Sequence, residues 1–171
     1  AKFDVLEIRG VKDYRQSFIS GDQVYFYPLN LESAKRMDTL WATLTGNSFD
    51  DFILSFKGRE IRFPFYKDGV GRFDFFEICG QMLGPGDYLA IVDAVRVLMV
   101  DNIPQLSRSN FNEAKRFVTL IDAAYEAKIS LICSAATEPE MLYTEGEGSF
   151  EFERTASRLK EMQSKNWLKV I

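Results

Sequence analysis

The sequence predicts an α/β fold built on a parallel β-α-β core, and three observations carry that prediction. A strand-like apolar run, Val95-Arg96-Val97-Leu98-Met99-Val100-Asp101, ends in an acid. A helix pattern follows in which Phe111, Ala114, Phe117, Val118, Ile121 and Tyr125 share one broad face. A second buried-strand run, Ile129-Ser130-Leu131-Ile132-Cys133, comes next. Strand, helix and strand joined at these lengths make a right-handed parallel unit, with strands near 95–101 and 129–134. To this core the sequence adds an antiparallel β-meander and flanking helices.

Taken in order, the chain opens with an alternating strand, Phe3 to Ile8, which Gly10 turns back. Tyr14–Phe18 and Val24–Tyr27 read as further short strands of a small edge sheet, separated by Ser20-Gly21-Asp22. After Pro28, Asn30 is placed to cap a helix carrying Ala34, Met37, Leu40, Trp41 and Leu44 on one face, and Gly46 stops it. From Phe52 to Phe75 the period changes to two. Phe52, Leu54 and Phe56, then Ile61, Phe63 and Phe65, then Phe73 and Phe75 predict three strands joined at Lys57-Gly58 and Lys67-Asp68-Gly69. Pro64 cannot donate to a ladder, so its strand belongs at an edge or carries a bulge. Asp74 caps a short helix through Cys79, Gly84-Pro85-Gly86-Asp87 opens another, and Lys128 ends the long one. A last amphipathic helix runs from about Phe150 to Gln163. Residues 1–50, 51–76 and 77–171 thus divide into short strands plus a helix, the meander, and the α/β core, in one unit.

Composition excludes much chemistry. The chain has 171 residues and no histidine, so a Ser-His or Cys-His pair, a His base and a His-containing zinc site are all ruled out. Cys79 and Cys133 are the only cysteines and read as small core residues, and no metal site is expected. With 21 basic against 25 acidic residues, nothing attracts nucleic acid globally. Lys57, Arg59, Arg62, Lys67 and Arg72 are interleaved with aromatics in the meander, but alternation assigns them to the face opposite the phenylalanines. The amino end lacks signal-peptide blocks, and the missing initiator Met suggests an excised or tagged fragment.

Asp101 stands where open α/β sheets place their ligands and where nucleotide hydrolases keep an acid for Mg²⁺. No G-x-x-x-x-G-K-[ST] run accompanies it, and the next residue, Asn102, cannot serve as a base. Taken alone, Asp101 therefore reads as a loop-capping acceptor. Arg154 and Arg158, four apart on the last helix, present two guanidinium groups on one face. Such a pair can grip phosphate, or can be matched by Glu151 and Glu161 as a solvated ion-pair face. Lys115 and Arg116 lie near the start of the long helix, where basic residues flanking an apolar face usually meet solvent.

Several ordered blocks carry a resemblance. They are Asp13-Tyr14-Arg15, Tyr25-Phe26 with Pro28-Leu29, Arg72-Phe73-Asp74-Phe75 with Cys79, Leu83-Gly84 with Asp87-Tyr88-Leu89, Ala114 to Asp122, and Phe152-Glu153-Arg154 through Ser157-Arg158-Leu159 to Ser164. Together they resemble the ZapE or AFG-one-like ATPase family, of the AAA+ P-loop type, over essentially the whole chain. The resemblance implies a carboxyl-terminal portion lacking the P-loop, with ATP and Mg²⁺ used by the full-length parent and no cofactor held by this chain alone. Asp101, Asn102, Arg116 and Asp122 become structural or vestigial site candidates; Arg154 and Arg158 become candidates for nucleotide sensing or subunit contact.

The implied partners are the upstream P-loop module of the same polypeptide, a division or membrane-associated protein, and further copies in a homo-oligomer, with nucleic acid disfavoured. The implied functions are cell division or protein quality control. The implied locations are the bacterial cytoplasm, at the inner-membrane periphery, or mitochondria. A different class is an interaction module that uses the aromatic meander or the last helix without catalysis.

Overall fold

The computed structural model describes residues 23–146 and 148–169. The strands expected at 3–8 and 14–18 lie outside the described residues, as does the Asp13-Tyr14-Arg15 block. Seven strands are seen: β1 Tyr25–Phe26, β2 Phe52–Phe56, β3 Arg59–Phe63, β4 Phe65–Lys67, β5 Val70–Asp74, β6 Val97–Ile103 and β7 Ser130–Ala135. The helices are α1 Leu31–Thr45, α2 Phe75–Cys79, α3 Pro85–Asp93, α4 Phe111–Ala127, α5 Ser149–Glu161 and α6 Lys165–Lys169.

Local signals place the helix ends. The Asn30 side chain accepts from the Ser33 N–H at 2.9 Å, and Gly46 closes α1 in the left-handed region at φ 72°. Asp74 caps α2 through a reciprocal box with Glu77. In α3 the Asp87 carboxylate reaches back to the Gly84 N–H at 2.8 Å behind Pro85. Lys128 ends α4 at φ 56°.

The main sheet has the order β1-β7-β6-β5-β4. Its first four strands are mutually parallel, and β4 runs antiparallel to β5. Two sequence expectations change here. The Val24–Tyr27 strand does not belong to a separate edge sheet; Tyr25 and Phe26 pair in parallel with Cys133 and Ser134 of β7. The Phe52–Phe75 stretch is shared between two sheets. Pro64, with no N–H to give, separates β3 from β4, so β2 and β3 form a hairpin of their own while β5 lies inside the parallel sheet.

Side chains alternate across the parallel sheet, and each face has its own core. Val70, Val97, Met99 and Ile132 meet Met37, Leu40, Trp41 and Leu44 of α1. On the other face, Phe73, Leu98, Val100, Leu131 and Cys133 pack with the larger cluster formed by α2, α3, α4, α5 and the hairpin. The hairpin presses close. A Cβ built on Gly71 would meet the Phe63 ring at 2.9 Å and Val95 at 3.1 Å, so only glycine leaves room for that contact. Trp167 of α6 touches both cores, stacks on Tyr125 with centroids 5.0 Å apart and donates its indole N–H to the Ile129 carbonyl at 2.9 Å.

Cys79 and Cys133 are both buried and unpaired. Burial pushes both thiols well above the ordinary range, so neither supplies thiolate in the folded chain. Native protein should therefore not react with a disulfide reagent such as Ellman's at mildly alkaline pH, and two thiols should titrate once it is unfolded. Rapid modification of either cysteine before unfolding would contradict this placement.

Candidate functional site

The carboxyl edge of the sheet is where an open α/β fold would hold a ligand. Register sets Asp74 directly beside Asp101 there. Arg72, two residues earlier on β5, lies on the same face as Asp101. Its Nε donates to Asp101 Oδ2 at 2.7 Å and its Nη2 to Asp101 Oδ1 at 3.0 Å. Arg72 also donates to Asp38 of α1 at 2.8 Å. The Arg72 and Asp101 side chains are 15% and 16% exposed, so the pair is largely desolvated and tightly specified by its fork geometry. Burial works against the Arg72 charge, but the hydrogen bonds and charges of Asp101 and Asp38 outweigh it and hold the group above the ordinary arginine value. Sequence reading assigned Arg72 to the solvated face of the meander. Its alternation with Val70 was the available signal for burial, since Val70 faces α1.

Asn102 follows Asp101 at φ 62°, a left-handed conformation that asparagine tolerates. Its N–H donates to the buried Ser134 hydroxyl at 2.8 Å and its side-chain amide to Asp74 at 2.8 Å. Asp74 is also the α2 cap. Both carboxylates at this edge are thus held by protein donors, and Asn102 ties β6 to its two neighbours. Among the described residues no group of three or more Cys, Asp or Glu side chains converges to hold a metal ion. The set does not fit a Mg²⁺-nucleotide site.

β1 leads into α1 on one face, while the adjacent β7 leads through the 136–148 loop to α5 on the other, so the chain changes faces between them. Tyr25 ties β1 to the segment that follows β7. Its hydroxyl donates to the Thr137 carbonyl at 2.8 Å, and burial, followed by Cys133 and Glu140, raises the phenol above its normal range. It stays protonated and serves as a donor.

The second group of sequence candidates lies between α4 and α5. Asp122 of α4 is shared by both arginines of α5: Arg158 hydrogen-bonds its Oδ1, and Arg154 stands 3.5 Å from Oδ2. Glu151 and Glu161, the partners considered from sequence, make neither contact. Glu161 instead accepts from the Tyr125 hydroxyl at 2.8 Å, and the Arg158 guanidinium lies over the Tyr125 ring, 4.7 Å from its centroid. The two arginines therefore differ. Arg158 is held by Asp122 and the Tyr125 ring and is only 21% exposed; Arg154 is 63% exposed and reaches a single, longer contact. Arg116 donates to the Cys79 carbonyl at 3.2 Å and joins α4 to the end of α2.

Apart from Lys57, which lies over the Phe56 ring, the meander cations are matched by acids. Arg59 pairs with Asp87 at 2.8 Å, Arg62 with Asp51 at 3.1 Å and Lys67 with Asp50 at 3.5 Å. Phe52, Phe63 and Tyr66 pack on one another beneath them.

Residues 1–170 match the family model described as AFG1-like ATPase. The cell division protein ZapE of Escherichia coli strain K12 is 29% identical over 97% of the chain, and the chain spans 44% of that protein. An uncharacterised protein of Schizosaccharomyces pombe is 26% identical over 98% of the chain and is likewise covered to 44%. Lactation elevated protein 1 homolog B of Danio rerio is 29% identical over 67% of the chain, which covers 29% of its length. The chain thus spans less than half the length of these relatives. No solved structure gives a significant match.

Proposed function

Because the chain belongs to the AFG1-like ATPase family, we propose that it forms the carboxyl-terminal α/β region of an ATPase whose phosphate-binding module precedes it, and that the chain alone does not hydrolyse ATP. The observation that carries this reading is the engagement of Asp101. Its two oxygens are both taken by Arg72, so the acid near the end of β6 is a structural counter-ion to β5. The lack of a G-x-x-x-x-G-K-[ST] run agrees with it. ATP and Mg²⁺ belong to the preceding module. What this chain supplies is a rigid sheet and, on its α4–α5 side, the mostly exposed Arg154.

Incubated with ATP and Mg²⁺, the chain should release no phosphate above the buffer rate. Robust Mg²⁺-dependent turnover that disappears in Asp101→Asn would overturn the proposal. In the full-length protein, Arg154→Ala should lower turnover while leaving the fold intact, since Arg154 is mostly solvent-facing. Unchanged turnover would reduce Arg154 to a surface residue.

By its relationship to ZapE, the proposed setting is bacterial cell division, at the cytoplasmic periphery of the inner membrane. None of the described helices is long and apolar enough to cross a membrane.

A further inference from the structure

The β2–β3 hairpin is a two-stranded sheet of its own, so both of its outer edges lack a neighbouring strand. Its turn, Lys57-Gly58, holds two residues at φ 47° and 76°, which makes Phe56 and Arg59 the closing hydrogen-bonded pair of the ladder. Alternation from that pair turns the backbone groups of Phe52, Leu54 and Phe56 toward β3 and those of Ile53 and Ser55 outward. Among the described residues, neither Ile53 nor Ser55 has a backbone hydrogen bond outside the hairpin.

The two edges differ in what guards them. β3 carries the exposed charges Glu60 and Arg62 and is followed by Pro64, features that blunt an edge against further pairing. β2 has no charge, no proline and no bulge. Ile53 is 50% exposed on its outer face, and Phe52, Leu54 and Phe56 on its inner face are only partly covered. Charge stands at its two ends instead, Asp51 before it and Lys57 after it. Asp51 pairs with Arg62 in full solvent, and Lys57 lies over the Phe56 ring with no carboxylate partner among the described residues.

We propose that β2 pairs antiparallel with β2 of a second copy of this chain, joining two hairpins into a four-stranded sheet about a two-fold axis at Leu54. Ile53 of each copy then exchanges both backbone hydrogen bonds with Ser55 of the other, which uses the outward-facing groups and leaves the β2–β3 ladder intact. On the inner face Leu54 meets Leu54 of the second copy, and Phe52 meets its Phe56, so the partly exposed apolar side chains cover one another. On the outer face the two Ile53 side chains become diagonal neighbours. Charge selects the second copy and the register together, because this alignment brings the Asp51 end of each strand to the Lys57 end of the other. A slip of two residues either way sets Asp51 opposite Ser55 or Ile53 opposite Lys57 and loses that match. The inference does not depend on whether the chain hydrolyses ATP.

Sedimentation velocity over a concentration series, with amide hydrogen exchange at its two ends, tests the pairing. The chain should pass from monomer to dimer, and the Ile53 and Ser55 amides should exchange freely in the monomer and be protected in the dimer. Asp51→Lys and Lys57→Asp should each raise the dissociation constant about tenfold or more, since like charges then meet at both ends of the paired strands. An equimolar mixture of these two variants should dimerise as the parent sequence does, because each meets an opposite charge in the other. Ser55→Pro removes only an outward N–H, so it should abolish the dimer while the melting temperature stays near that of the parent monomer. A chain that remains monomeric with both amides exchanging would overturn the proposal and leave the edge to a strand of another protein. Protection of those amides already in the monomer would overturn it by assigning the edge to another part of the same chain. A dimer indifferent to Ser55→Pro and to both reversals, or one that the mixture fails to restore, would place the interface elsewhere and overturn it too.

Discussion

Arg72→Met should destabilise the chain by about 3–5 kcal/mol, the usual cost of removing one partner from a buried ion pair. The substitution leaves the Asp101 carboxylate in a largely desolvated position with both oxygens stripped of their donor. Asp101→Leu should cost less, because Arg72 keeps Asp38 as a counter-ion at 2.8 Å. In the double variant, Arg72→Met with Asp101→Leu, most of the loss should return. Apolar side chains then continue the Val70 and Met99 surface against α1, and Asp38, already 73% exposed, remains solvated. Urea denaturation of the four proteins measures the coupling directly. Each kcal/mol should also lower the melting midpoint by about 2–4 °C for a domain of this size. If Arg72→Met lies within about 1 kcal/mol of the parent sequence, the pair is not the buried clamp described.

Phe117→Ala should cost a comparable amount, about 3–5 kcal/mol, through lost burial and the cavity left behind. Phe117 is fully buried at the meeting point of three helices, with Phe75 of α2 at 5.9 Å and Phe152 of α5 at 6.3 Å between ring centroids. α2 continues from β5 through the Asp74 cap, while α5 is held against α4 by such apolar contacts and by Asp122. Phe150→Ala is the natural control. That ring is 82% exposed in the first turn of α5, and its removal should change stability by no more than about 0.5 kcal/mol. Equal effects of the two substitutions in denaturant titration would mean that α5 does not pack through Phe152.

Much of the local architecture is readable along the chain because its causes are local. Asn30 and Gly46 bracket α1, Asp74 caps α2, Gly84-Pro85 opens α3 and Lys128 closes α4. The apolar runs of β6 and β7 announce strands buried on both faces, and the helix between them supplies the connection that parallel pairing requires. Boundaries drift by a residue or two: β6 continues to Ile103, and α5 spans Ser149–Glu161.

The candidate site was legible only as a set of residue types. Asp101, Asn102, Arg154 and Arg158 could be picked out by position, but none of their partners could. Arg72 lies in a segment that reads as a meander, and Asp122 lies on a helix whose periodicity says only that it is not on the buried stripe. Pairings of this kind span tens of residues and have no local signature.

By itself, then, the sequence determined the α/β class, the helix ends and the exclusion of histidine chemistry, because propensity, capping and the period of apolar residues act over a few neighbouring positions. Only the tertiary structure decided that β1 joins β7, that the aromatic stretch is divided at Pro64, and that Asp101 serves Arg72 and Asp122 serves Arg158. Strand partners and counter-ions are chosen by which elements the packed sheet brings side by side, and that choice is made across the whole chain at once.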